Sequence, residues 1–314
     1  MRYLFLFYLS AKIKLFIANK LITMKKLKRL SLLFTVALFS LTSCGDGEKT
    51  EKKNDAQQVD TNEQNEGVAI PESDDIDFHL PSPLQIAYIF KNSGLQYTPG
   101  LTNDQAKVEN YISKYQQLLN FGVYSADLAY CVENGKSQDA KNYLTVVKTL
   151  AEKIGMNSVF DNQGLLERFD KNIANKDSIE QILIDVHEKT EMYLEDNELK
   201  YFATIQFAGA WLEGMYLGSQ HALTNKNEDL GMMLIEQLGI LSNLVKGLKS
   251  SADQGELPEV KDLASKLEDL QHAMEGLESV KKFDQGGQIV RLTDEELKLI
   301  AEKIKTLREE IVNA

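Results

Sequence analysis

The sequence predicts an all-α protein: a multi-helix bundle or array with a C-terminal helical hairpin, preceded by a disordered tether. Three observations predict it. No proline occurs between Pro99 and Pro258, so nothing there removes a helical N–H or clashes with the preceding turn. Period-2 alternation of Val, Ile and Thr is scarce, while strong helix formers dominate. Helix-start patterns recur: Thr293-Asp294-Glu295-Glu296 is a full capping box, Asp177-Ser178-Ile179-Glu180 is a variant with an Asp cap, and Thr102-Asn103-Asp104-Gln105 opens another helix.

From these signals we expect helices near 83–92, 103–119, 121–133, 137–154, 163–174, 178–195, 197–223, 228–250, 257–280 and 294–312. Pro81-Ser82-Pro83 ends the tether and starts the domain. Glu133-Asn134-Gly135 and Asp161-Asn162-Gln163-Gly164 supply polar, glycine-bearing breaks. The last third, 257–312, reads as an amphipathic pair, with Leu263, Leu267, Leu270, Met274 and Leu277 down one face. The domain, 81–314, has about 230 residues, enough for one core or for two lobes at 81–252 and 253–314.

The central helices are unusual. Gly122, Ser125, Ala126 and Ala129 share one stripe, and Ala210, Gly214 and Gly218 fall four apart. Each glycine inside a helix costs about 1 kcal/mol against alanine, and close helix approach offsets that cost. The two segments also align at an offset of 86 residues, matching Phe121 with Phe207, Asp127 with Glu213 and Tyr130 with Tyr216. An internal duplication of a helix pair and chance both account for so few matches.

Asp127 and Glu213 carry the candidate site. Both have largely apolar helical neighbours, and a buried carboxylate must be paired, hydrogen-bonded or protonated. One reading places them in a single pocket with Tyr124, Tyr130, Trp211 and Tyr216, meeting a small cationic or polar ligand. The other gives them a structural hydrogen bond to a tyrosine, or exposure at a helix flank.

Motifs for catalysis are sparse. His187-Glu188-Lys189-Thr190-Glu191 lacks the second histidine of a zinc-protease helix. Asp269 and His272 have the spacing used in di-iron bundles, but the matching Glu-x-x-His pairs are missing. No catalytic residue, metal site or cofactor is assigned. Cys131 lies in the apolar stretch Leu128–Val132 with no basic neighbour to make it a thiolate, so it reads as core.

The N-terminal region gives an address. Lys25, Lys26, Lys28 and Arg29 form a basic cluster, and Leu30–Leu41 is an apolar run of about a dozen residues. That is the plan of a secretory signal and is too short to span a membrane. Met24 precedes the cluster and reads as the true start, with 1–23 upstream of it. The competing reading is one long signal or an N-terminal membrane segment, which Lys12 and Lys14 make costly.

Leu41-Thr42-Ser43-Cys44 resembles the lipobox of bacterial lipoproteins. The resemblance implies a signal region at 1–43, lipid attachment at Cys44, cleavage between Ser43 and Cys44, and acylation of the new amine, palmitate being the expected kind of chain. Several acyl chains hold a protein on a bilayer at about 0.8 kcal/mol per buried CH₂. Gly45 in place of Asp fits outer-membrane sorting by the same resemblance. Tyr124-Ser125-Ala126-Asp127-Leu128-Ala129-Tyr130 and the overall composition also resemble all-helical lipoproteins of Bacteroidota-type bacteria, and no activity comes with that resemblance.

Residues 45–80 carry eleven acids and three lysines. Such a segment lacks the apolar surface to offset its ordering entropy and is expected to be disordered, holding the domain about 30–35 Å from the bilayer. After removal of 1–43 the chain has 27 basic and 47 acidic residues, net −20. Nucleic-acid binding, which needs neutralised phosphates, is excluded on that balance. The expected protein is a lipid-anchored envelope protein, periplasmic or surface-facing, that acts as a binding or scaffold module for an envelope partner or a small ligand. A helical-bundle hydrolase or metal-dependent enzyme is the alternative.

Overall fold

The structure is a computed structural model that describes residues 80–160, 164–254, 257–284 and 291–313. The signal region, the Cys44 lipobox and the tether up to residue 79 lie outside the described residues, as do Asp161, Asn162 and Gln163. Every regular element described is helical and none is a strand. The all-α class read from the sequence is therefore the observed one for the described residues.

Local chemistry sets the helix ends. Helix α1, Pro83–Asn92, starts where Ser82 Oγ accepts from the Gln85 amide at 3.2 Å and Gln85 Oε1 accepts from the Ser82 amide at 2.8 Å. That reciprocal box satisfies two orphan donors, and Pro83 supplies a helical φ without needing a partner. A short 3₁₀ turn, Gln105–Asn110, follows under an Asp104 cap. Then comes α2, Lys114–Glu133.

Here the structure corrects the expected boundary. The break falls at 111–113 and not at 120. Ser113 and Gln116 form a second reciprocal box. Asn120 does not interrupt the helix, because its amide donates back to Gln116 O at 3.0 Å and outward to Ile311 O at 3.1 Å.

Helices α3, Ser137–Lys153, α4, Asn157–Phe160, and α5, Leu165–Lys171, lead to α6, Lys176–Asp196. The α6 cap is Asn175, whose side chain accepts from the Ser178 amide at 3.1 Å, so the expected Asp177 cap lies inside the first turn. Helix α7 is Lys200–Asn225. The expected 228–250 helix is two, α8, Glu228–Glu236, and α9, Leu238–Gln254, broken at Gln237. The expected 257–280 helix also divides, into α10, Glu259–Glu275, and α11, Glu278–Asp284, where Gly276 closes the first on His272 O at 2.9 Å. Helix α12, Asp294–Val312, opens on the expected Thr293 box.

The described residues belong to one compact unit, Glu72–Ala314, with α2 and α7 packed together at its centre. Of the 20 residues of α2, 16 are buried, and of the 26 of α7, 17 are. Their axes approach so closely that a Cβ on Gly122 would collide with the carbonyl of Gln206, and one on Gly209 with the carbonyl of Leu119. Gly214 and Gly218, from the small-residue stripe expected on α7, receive Ile86 and Phe90 of α1, while Gly209, outside that stripe, meets α2. Helix α3 also packs on α2, and α12 packs on α7 and touches α2. Helix α10 pairs chiefly with α9 and more lightly with α12. No described helix is long and apolar enough to cross a membrane.

Candidate functional site

The central packing brings Asp127 of α2 and Glu213 of α7 together. Both are fully buried, and the Glu213 charge bears directly on the Asp127 carboxyl. A third group completes the cluster. Arg308 of α12 forks onto Glu213, Nε to Oε2 at 2.9 Å and Nη2 to Oε1 at 3.0 Å. Such a bidentate, charge-assisted pair is the strong form of this contact. The Arg308 guanidinium also stacks 4.5 Å from the centre of the Tyr216 ring. Only a tenth of its side-chain surface remains exposed.

Around this triad lies a polar shell from the segment before α2. The Asn103 amide donates to Asp127 Oδ2 at 3.0 Å, and Asn103 Nδ2 donates to the Tyr111 hydroxyl at 3.1 Å. Tyr111 in turn donates to Val312 O at 3.2 Å at the end of α12. Tyr124 donates to Asp104 O at 2.7 Å, and Tyr143 of α3 reaches Thr102 and Asn103 O. Three buried acceptors in this region, Asp127 Oδ1, Asn103 Oδ1 and Asn120 Oδ1, have no protein donor.

Burial dominates the electrostatics. It holds the Asp127 carboxyl well above the usual carboxylate range, and the Glu213 charge pushes the same way, against the Arg308 charge and the Asn103 amide. Burial likewise raises Tyr124 and Tyr143 and pushes Tyr130 up to about 12. The Arg308 guanidinium is secured as a cation by Glu213, against its own desolvation.

Of the six residues expected in one pocket, Asp127 and Glu213 belong to the triad and Tyr216 stacks on its arginine. Tyr124 stands beside it through the Asn103–Asp104 turn. Tyr130 is turned toward the 96–98 segment, donating to Gln96 O at 2.8 Å and accepting from the Thr98 amide at 2.7 Å. Trp211 is fully buried and its indole N–H has no acceptor. An apolar notch lined by Ile86, Phe90, Leu95, Ala126, Gly214 and Leu217 lies between α1 and the central pair. It holds about 10 Å³, no more than about one water.

The acids thus meet an arginine, an answer that neither a ligand nor a tyrosine hydrogen bond anticipated. Arg308 was legible in one respect. It occupies the apolar stripe of α12, four residues after Ile304 and three before Ile311, where a solvent-facing arginine would not fall. Asn103 and Tyr111 come from irregular segments and gave no periodic signal.

Among the described residues, His187 and His272 are not part of this cluster. His187 of α6 faces Glu191 at 3.4 Å, and burial lowers its proton affinity. Asp269 and His272 are both exposed. Among the described residues no group of three or more His, Cys, Asp or Glu is placed to hold a metal ion. Cys131 is a buried free thiol, and burial raises it above the ordinary thiol range. The chain matches no known protein-family model, no curated protein and no solved structure.

Proposed function

We propose that this chain is a lipid-anchored protein of the bacterial cell envelope, held through Cys44, whose helical domain works as a binding or scaffold module. One observation carries the reading of the domain. The two acids with the strongest claim to be a ligand site are fully buried and face Arg308 of the same chain, whose fork engages both oxygens of Glu213. A groove for a cationic ligand would leave that cationic position to the ligand. Recognition then falls to the outer helix faces and their charged side chains, which suits an envelope protein as partner. The address rests on the order of basic cluster, apolar run and Leu41-Thr42-Ser43-Cys44.

The test is labelled-palmitate incorporation and membrane fractionation of cells producing the protein, alongside Cys44→Ser. The native form should take up label and sediment with membranes, and Cys44→Ser should do neither. A Cys44→Ser form that remains in the membrane fraction would overturn the lipid anchor. Protease treatment of intact cells then separates a surface-facing domain, cut at once, from a periplasmic one, cut only after the outer membrane is opened.

A further inference from the structure

Two acids and one arginine do not balance. Asp127 and Glu213 are both fully buried, and Arg308 engages both oxygens of Glu213 alone. Asp127 has one oxygen on the Asn103 amide and the other, Oδ1, on no donor at all. Ionised, it would be a second buried carboxylate with only one arginine to balance the two, which is costly. Protonated, Oδ1 becomes a donor, and the charge imbalance is removed.

We propose that Asp127 and Glu213 form a proton-binding site, with one proton held on Asp127 Oδ1, so that the acid pair and Arg308 are neutral as a unit. The other titratable groups facing the pair do not alter this balance. Tyr124, Tyr130 and Cys131 on α2, Tyr143 on α3, Tyr216 on α7 and Tyr111 before α2 are all raised by burial and stay neutral. Helices α1 and α6 also pack on α2, but their cations go elsewhere. Lys91 meets Asn134 at 2.7 Å, and Lys176 meets Glu133 at 2.7 Å, both at the far end of α2.

The site has a distinctive property. The proton and the negative charge can exchange places between two neighbouring acids. If Glu213 is made neutral, Asp127 should release its proton and become the counter-ion of Arg308. The sign of the pH dependence follows. Folding raises the proton affinity of Asp127, so above the ordinary carboxylate range the folded chain holds one proton more than the unfolded chain. Stability then falls as pH rises, the folding constant dropping about tenfold per pH unit from this group, until Asp127 itself ionises. Asp127→Asn keeps the donor and abolishes that one-proton dependence.

The experiment is carboxyl-carbon NMR of the full chain in detergent, with labelled Asp and Glu, from about pH 5 to pH 8. One carboxyl, missing in Asp127→Asn, should still be protonated at pH 5, above the ordinary carboxylate range, and in Glu213→Gln the same signal should move to the ionised form. An Asp127 signal that is ionised in the wild type across this range would overturn the proposal. So would one that stays protonated in a folded Glu213→Gln protein. If Glu213→Gln fails to fold, the wild-type spectrum decides by itself.

Discussion

The central pair α2–α7 and the outer helices α10 and α12 bury their residues by different means. On α10, 6 of 17 residues are buried, and on α12, 7 of 19, in stripes of Leu, Ile, Val, Ala and Met three and four apart in which Arg308 is the one charged member. Such helices hold on through side-chain area, at about 25 cal/mol per Å² of apolar surface. The central pair is buried on nearly every face and meets through backbone at Gly122 and Gly209. It also encloses charge. The outer helices can therefore exchange one apolar shape for another, while the centre depends on backbone clearance and on the count of charges. Arg308 belongs to both regions. It sits in the apolar stripe of an outer helix and supplies the cation of the centre.

The largest expected effect breaks that link. Arg308→Ala leaves the Glu213 carboxylate buried without a cation and should cost about 3–5 kcal/mol in urea unfolding. Arg308→Met paired with Glu213→Gln should recover much of the loss, because the charge requirement disappears from both sides. Failure to recover would mean that packing, not charge, fixes α12.

Next in size is a single added methyl at the helix crossing. Gly122→Ala or Gly209→Ala should destabilise by about 3 kcal/mol, since the helices must part to clear a carbonyl oxygen. Gly231→Ala on α8, where a Cβ would meet nothing within 4 Å, should instead stabilise by about 0.5–1 kcal/mol through helix propensity. Equal effects at the two kinds of glycine would erase the distinction drawn here. The smallest effect belongs to the outer stripe. Leu267→Met on α10 conserves volume and should change stability by less than about 1.5 kcal/mol.

The helical class was legible because its signals are local. Proline placement, capping residues and glycine breaks act within a few residues of themselves, and the limits of α1, at 83–92, and α12, at 294–312, could be read from them directly. Where two start signals competed, the sequence misled. Thr102–Gln105 opens only a 3₁₀ turn, and the long helix waits for the Ser113–Gln116 box. Asp127 and Glu213 stood out because an acid in an apolar run is conspicuous. Their partner did not, because α12 is rich in charged residues and one arginine among them hides unless its register is compared with Ile304 and Ile311. Asn103 and Tyr111 reach the cluster from turns, and their placement depends on tertiary packing that no periodicity reports.

The distance along the chain between Glu213 and Arg308, 95 residues, has a consequence in time. In a chain delivered from its N-terminus, the acid arrives before the cation that answers it. Through that interval α2 and α7 are both present, yet closing them together would bury a carboxylate with no counter-charge. The nascent chain has reason to keep its two central helices wet until α12 emerges. Completion of the core is thus tied to the late arrival of one side chain, and a chain halted before α12 would present its most apolar helices to the chaperones instead of to each other.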